Sequence, residues 1–280
     1  MNALDLIKNG TLVLKENMIS SHRIDSEILL SSVLGKSREE ILINLDEKIN
    51  SRDIFSFKKL IERRSSKEPL AYILKEKEFW SKKFEVNEST LVPRPETELM
   101  LEKLIKIYKD KKISILDAGT GSGCILISLL SELPNSSGIG IDISNKALIV
   151  AKQNAIKHKL GNRIKFYNKS ISKIYNYKFD LLVSNPPYID RKNIKNLDDD
   201  IKKYEPLIAI NGGNDGLDVI KKVIYKARYI LKINGKLAIE IGNGQSVRVS
   251  KELKLNNFKI EQYIKDFKEN TRCLISTLVK

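Results

Sequence analysis

The sequence predicts an α/β protein: a doubly wound, seven-stranded, mostly parallel sheet preceded by a small all-α bundle. Three observations carry this expectation. From residue 111 onward, short apolar runs alternate with amphipathic segments, the rhythm of the strand–helix units that build parallel sheets. Before residue 85, apolar residues recur instead at intervals of three and four, the spacing of a helix face. A glycine-rich turn, Asp117-Ala118-Gly119-Thr120-Gly121-Ser122-Gly123, falls where a strand passes into a helix, the place where open α/β sheets bind ligands.

The elements follow in order. Ser26–Leu34 and Phe55–Ile61 carry helical periodicity, Gly35 stops one helix, and Ser37 with Glu40 forms a capping box for the next. Four or five helices over residues 1–77 make a bundle suited to substrate recognition or support. Residues 78–92 read as a hairpin linker, with Trp80 as a packing anchor. A second, larger domain then spans 93–280. Pro95 suits the first turn of a helix running to Tyr108, with Glu96 and Glu98 at its positive end. Arg94 and Glu96 are candidates to line a crevice, or simply to start that helix. Strands are expected at Ile113–Leu116, Gly138–Ile141, Arg163–Tyr167, Phe179–Val183 and Lys236–Ile241. Helices are expected at Ala147–His158 and Leu217–Leu231. Phe258–Phe267 and Arg272–Val279 complete the sheet as an antiparallel pair.

Composition narrows the class. The chain has 280 residues, of which 41% are hydrophobic, enough for a real core. No apolar run reaches the length of a membrane span, and the N-terminus lacks a signal-peptide layout, so a cytoplasmic protein is expected. Cys124 and Cys273 give no disulfide framework and no metal spacing, and Cys124 reads as a buried structural thiol. The net charge of +15 is spread along the chain rather than gathered in one tract, so solvated faces are favoured over a nucleic-acid surface. Such a surface could also steer an acidic protein partner.

Two constellations carry chemistry. The glycine turn lets the backbone approach a ligand closely, through Gly119, Thr120, Gly121, Ser122 and Gly123. It has no Gly-Lys-Ser/Thr ending, so it is not a P-loop, and its spacing differs from the dinucleotide fingerprint. A dinucleotide, a nucleotide phosphate and S-adenosylmethionine all stay open at this point. Asp142 closes the second strand, where a carboxylate can accept two ribose hydroxyls, while Ser144 suits the following helix cap. Asn185-Pro186-Pro187-Tyr188 follows the fourth strand. Its two prolines fix an extended turn that holds an amide and a phenol at the carboxyl edge of the sheet.

The combination of Asp117–Gly123, Asp142 and Asn185–Tyr188 resembles the class I S-adenosylmethionine-dependent methyltransferases, of the kind that modify planar amino or amide nitrogens. Glu68–Ile73, Glu78–Trp80, Leu91–Glu98, Tyr204–Pro206, Asp215–Leu217 and Glu240–Gly242 further resemble the release-factor glutamine methyltransferases, the HemK/PrmC type. The resemblance covers most of the chain. It departs at Lys75, where the family commonly has glycine, and at Lys169-Ser170, where many members carry an acidic or aromatic cofactor contact.

The resemblance implies S-adenosyl-L-methionine as cofactor. It implies class I peptide chain release factors as protein substrate, methylated on the glutamine of a Gly-Gly-Gln motif. Asn185 and the Pro186 carbonyl would accept the two N–H bonds of the substrate amide. Pro187 would shape the turn, and Tyr188 would pack on the flat amide and exclude water. An N6-adenine nucleic-acid methyltransferase, a ribosomal-protein glutamine methyltransferase and a non-catalytic module with the helical bundle as adaptor are the competing readings; no target-recognition region for the first is evident, and the intact glycine turn argues against the last. His22 and His158 are expected at solvated helix positions without catalytic roles.

Overall fold

The computed structural model describes residues 1–279, so Lys280 of the expected second domain lies outside them. The chain forms two compact units. One comprises Met1–Glu76 with Asp198–Tyr204, and the other Lys77–Leu197 with Glu205 onward. Among the described residues no helix is long and apolar enough to cross a membrane.

The first unit holds α1 (Ala3–Glu16), α2 (His22–Leu34), α3 (Arg38–Ile43), α4 (Ser51–Ser65) and α5 (Leu70–Leu74). Their apolar stripes meet in one core that includes Leu6, Leu14, Leu29, Leu30 and Phe57. Capping explains the boundaries. Asn2 and Ser37 each complete a capping box, and Gly35 ends α2 with φ +62°. Lys75 ends α5 with φ +57°, a left-handed conformation that favours glycine. Arg64 is 7% exposed and donates to Asp25 at 2.7 Å and to Asp200 at 2.9 Å. Tyr204 donates to the Ser66 carbonyl at 2.9 Å. A stretch distant in sequence is thereby built into the helical unit.

The second unit opens with a two-stranded ribbon, β1 (Glu76–Phe79) and β2 (Lys82–Glu85), and α6 (Pro95–Tyr108). Then β3 (Ser114–Ala118), α7 (Cys124–Glu132), β4 (Ser137–Asp142), α8 (Asn145–Lys157), β5 (Ile164–Asn168) and β6 (Phe179–Ser184) alternate. After α9 (Asp199–Tyr204), which belongs to the helical unit, come α10 (Asp218–Ile230), β7 (Leu231–Glu240), α11 (Ser246–Leu255), β8 (Phe258–Lys265) and β9 (Thr271–Leu278). The seven-stranded sheet has the order β5-β4-β3-β6-β7-β9-β8, with β9 antiparallel to both neighbours.

Both faces of the sheet are covered, which is why its strands read as continuous apolar runs. Ile115, Leu181, Val183 and Ala238 pack with residues of α6 and α7. Their strand neighbours Leu116, Leu182 and Ile239 pack with residues of α10 and α11 on the other face. The strand order departs in both directions from β3, with β4 on one side and β6 on the other. This leaves a crevice at the carboxyl ends of these strands.

Some expectations shift. β7 begins at Leu231 rather than Lys236, because the chain bulges near Gly235 and Phe179 pairs with Leu231. Both histidines are half-buried rather than fully solvated. His22 is half-buried with an unpartnered Nδ1. His158 contacts the Lys83 carbonyl at 3.0 Å and packs on the Phe84 ring. Cys124 is half-buried as a residue, while its thiol is desolvated.

Candidate active site

The glycine turn closes β3 by bonding to its neighbour: the backbone N–H groups of Gly119 and Thr120 donate to the Ile141 carbonyl at 2.9 and 3.0 Å. Gly119, Gly121 and Gly123 all have left-handed φ, of +77°, +54° and +81°. The three serve different ends. A side chain at Gly119 or Gly121 would meet nothing within 4 Å, so these two open the backbone toward a ligand. At Gly123 a Cβ would stand 3.0 Å from Ile127, so this glycine serves helix packing.

Two carboxylates brace the turn. Asp142 accepts from Gly121 N at 3.0 Å and from Ser144 N at 2.8 Å, and burial raises its pKa. Ser144 caps α8, accepting from Ala147 N. Asp117 is fully buried, accepts from the Thr120 hydroxyl at 2.7 Å, and keeps its second oxygen without a partner. Burial pushes its pKa up to about 7.

A cavity of about 630 Å³ lies above these strand ends, within the range of small-molecule and cofactor sites. Gly119, Thr120, Gly121, Ser122 and Asp142 line one part of it, and Asn185, Pro186 and Pro187 another. Arg94 also lines it, paired at 2.5 Å with buried Glu205, whose other oxygen accepts from Val92 N. The departing residues Lys169 and Ser170 border it too, as does Cys124, whose thiol burial pushes up to about 12. Gly123 and Tyr188 do not line the cavity.

The Asn185-Pro186-Pro187-Tyr188 turn is held from below. Ser184 donates to the Ala118 carbonyl at 2.6 Å, tying β6 to β3. Gln245 donates to the Tyr188 carbonyl at 2.9 Å. Gly212, Gly216 and Gly242 give the turn room: a Cβ at Gly216 would sit 2.5 Å from the Tyr188 oxygen. This explains why Asp215-Gly216-Leu217 and Glu240-Ile241-Gly242 accompany the turn in sequence.

The side chains form a chain of hydrogen bonds. Asn185 Nδ2 donates to Thr97 Oγ1 at 3.3 Å, and Thr97 Oγ1 donates to Glu240 Oε2 at 2.5 Å. The Tyr188 hydroxyl donates to Glu240 Oε1 at 3.3 Å. Tyr188 therefore bears on the site through its hydroxyl as well as its ring. Its ring packs into the core and its hydroxyl is spent on Glu240. Glu240 is 2% exposed, and burial pushes its pKa up to about 7. Burial also raises the Tyr188 phenol.

Sequence reasoning did not single out Thr97, Glu240 or the side chain of Asp117 as site residues. A signal for two of them existed. Glu240 and Asp117 are acidic residues in otherwise apolar strands, and such charges need partners.

The family described as PrmC N-terminal domain matches residues 5–74, and that described as Methyltransferase domain matches residues 109–276. A release factor glutamine methyltransferase of Clostridium botulinum is 37% identical over 274 residues, covering 96% of this chain and 97% of that protein. A bifunctional methyltransferase of Rickettsia typhi is 36% identical over 289 residues, and the chain spans 56% of its length. Among solved structures, a ribosomal protein L11 methylase of Lactobacillus delbrueckii superposes with TM-score 0.51 at 19% identity, covering 67% of this chain and 81% of that one. That likeness is one of fold.

Proposed function

The chain belongs to the release factor glutamine methyltransferases, and from that membership we propose that it methylates the side-chain amide N5 of the glutamine in the Gly-Gly-Gln motif of class I peptide chain release factors. The methyl donor is S-adenosyl-L-methionine, which when bound supplies an electrophilic methyl group on a sulfonium. The residues present fit it. Gly119 and Gly121 open a backbone cradle with nothing within 4 Å of their missing side chains. Asp117 holds Thr120 of that turn and keeps its other oxygen without a partner, and Asp142, which lines the cavity, offers a carboxylate for ribose hydroxyls.

An amide nitrogen is a poor nucleophile because its lone pair is shared with the carbonyl. The site's task is to orient that nitrogen and hold its two N–H bonds. Asn185 Oδ1 and the Pro186 carbonyl accept them, and the diproline turn keeps both acceptors rigid. The amide nitrogen gains the methyl as the sulfonium's S–CH3 bond breaks, leaving a neutral thioether on the spent donor, and the nitrogen's surplus proton passes to water. Pro187 shapes the wall of the cavity, and Tyr188 supports the turn through Glu240.

One observation carries this reading. Asn185 lines the cavity and its amide nitrogen is committed to Thr97, so its oxygen is the atom left for a substrate N–H. Incubation with labelled S-adenosylmethionine and either purified release factor or nucleic acid tests it. Label in the release factor, mapped to the Gly-Gly-Gln glutamine, is expected. Label in nucleic acid alone would transfer the assignment to adenine N6.

A further inference from the structure

Asn185 can act as an acceptor only if its amide is turned the right way. A carboxamide is nearly symmetric in shape, so packing alone does not choose between its oxygen and its nitrogen. The choice is made by the hydrogen-bonding character of its neighbours.

Thr97 is that neighbour, on the first turn of α6 and 2% exposed. A hydroxyl can donate one proton and accept others. Its proton is already given to Glu240 Oε2 at 2.5 Å. Toward Asn185 it therefore offers only a lone pair, and it receives Nδ2 at 3.3 Å. Glu240 accepts a second proton, from the Tyr188 hydroxyl, on its other oxygen. Both carboxylate oxygens are thus engaged by donors, one from α6 and one from the diproline turn. The network spans 143 residues of sequence between Thr97 and Glu240.

We infer that Thr97 and Glu240 are positioning residues for the methyl transfer: the Glu240 carboxylate fixes the direction of the Thr97 hydroxyl, and Thr97 in turn holds the Asn185 oxygen toward the substrate. The inference rests on the proposed function for the identity of the substrate, but its geometric content does not. Neither residue touches the reacting nitrogen. Each acts by removing the wrong orientation of Asn185, so its loss lowers turnover while cofactor and substrate still bind.

The test uses the full chain with S-adenosylmethionine bound. Thr97→Val keeps the shape of the side chain and removes the hydroxyl, and Thr97→Ser restores it. Two readouts are taken. In the wild type, one Asn185 side-chain N–H is expected to show slowed hydrogen exchange by nuclear magnetic resonance, and Thr97→Val is expected to lose that protection. With release factor as substrate, kcat of Thr97→Val is expected to fall at least about tenfold, with KM and cofactor Kd held within about twofold. Thr97→Ser is expected to recover most of the rate. If Thr97→Val unfolds or loses the cofactor, Glu240→Gln carries the same two readouts, because an amide cannot accept from both hydroxyls through both of its atoms.

An unprotected Asn185 amide in the wild type overturns the inference whatever the substrate. A Thr97→Val enzyme with wild-type kcat on release factor also overturns it. Failure of the wild type to methylate release factor overturns the proposed function instead, and the exchange readout then decides the inference alone.

Discussion

Gly212 lies directly against Tyr188: a Cβ on the glycine would stand 2.8 Å from the Tyr188 Cα, and equally close to the Pro187 carbonyl oxygen. These are backbone atoms of the turn that carries Asn185, so they cannot rotate aside as a side chain would. The diproline turn is therefore clamped from beneath by a second loop that must be glycine where the two backbones meet.

Gly212→Ala is expected to push this turn outward. Stability should fall by about 1–3 kcal/mol, as for other overpacked sites, and turnover should fall further than cofactor affinity. Gly161→Ala, where the added Cβ meets nothing within 4 Å, is the matched control and should stay within about 0.5 kcal/mol of the wild type. Urea unfolding and methylation rates on both variants measure the difference.

Glu240 gives stability a pH dependence of definite sign. Its carboxyl ionises at about 7 in the fold, against an ordinary value of 4.5, because burial disfavours the charge. A carboxyl that holds its proton more tightly when folded contributes stability that is complete below the unfolded pKa and is lost as pH rises through the folded one. The window is thus 4.5 to about 7. Glu240→Gln cannot titrate, so its unfolding free energy should decline less steeply across that window, by on the order of 1 kcal/mol per pH unit. Parallel slopes for variant and wild type would show that Glu240 is not the responsible group.

Arg64 in the helical unit joins Asp25, itself 4% exposed, to Asp200. Removing one partner of a buried ion pair leaves an uncompensated charge, so Arg64→Ala should cost about 3–5 kcal/mol. It should also make residues 198–204 more open to proteolysis, since the bond from Tyr204 to Ser66 is then the remaining described tether. Limited digestion followed by mass mapping reads this out.

Much of this was legible in the chain. Strand–helix alternation gave the sheet because covered parallel strands must be apolar throughout. The glycine turn and Asn185-Pro186-Pro187-Tyr188 stood out because both need unusual backbone geometry, which few residue types supply. The parts that were not legible are tertiary. Thr97 looked like an ordinary helix-start residue, and only folding brings it to Glu240. Asp199–Tyr204 is a short polar helix that the sequence pattern did not single out, and nothing local shows that Arg64 will hold it. The Tyr188 hydroxyl's partner, Glu240, lies in a strand far along the sequence, so that bond was not legible either.

Lys75 illustrates a local departure with a physical consequence. Its φ of +57° strains a residue with a side chain. Lys75→Gly should stabilise the helical unit by about 0.5–1 kcal/mol. Thermal and urea unfolding check it; a destabilised variant would mean that the lysine side chain makes a contact worth more than the strain.

The acceptor role of Asn185 is tested most directly by kcat of Asn185→Ala at saturating S-adenosylmethionine, with cofactor Kd measured on the same preparation. The expected result is a loss of about 100-fold or more in kcat, with Kd within about threefold of wild type. An Asn185→Ala enzyme that turns over at a rate close to wild type would contradict the account.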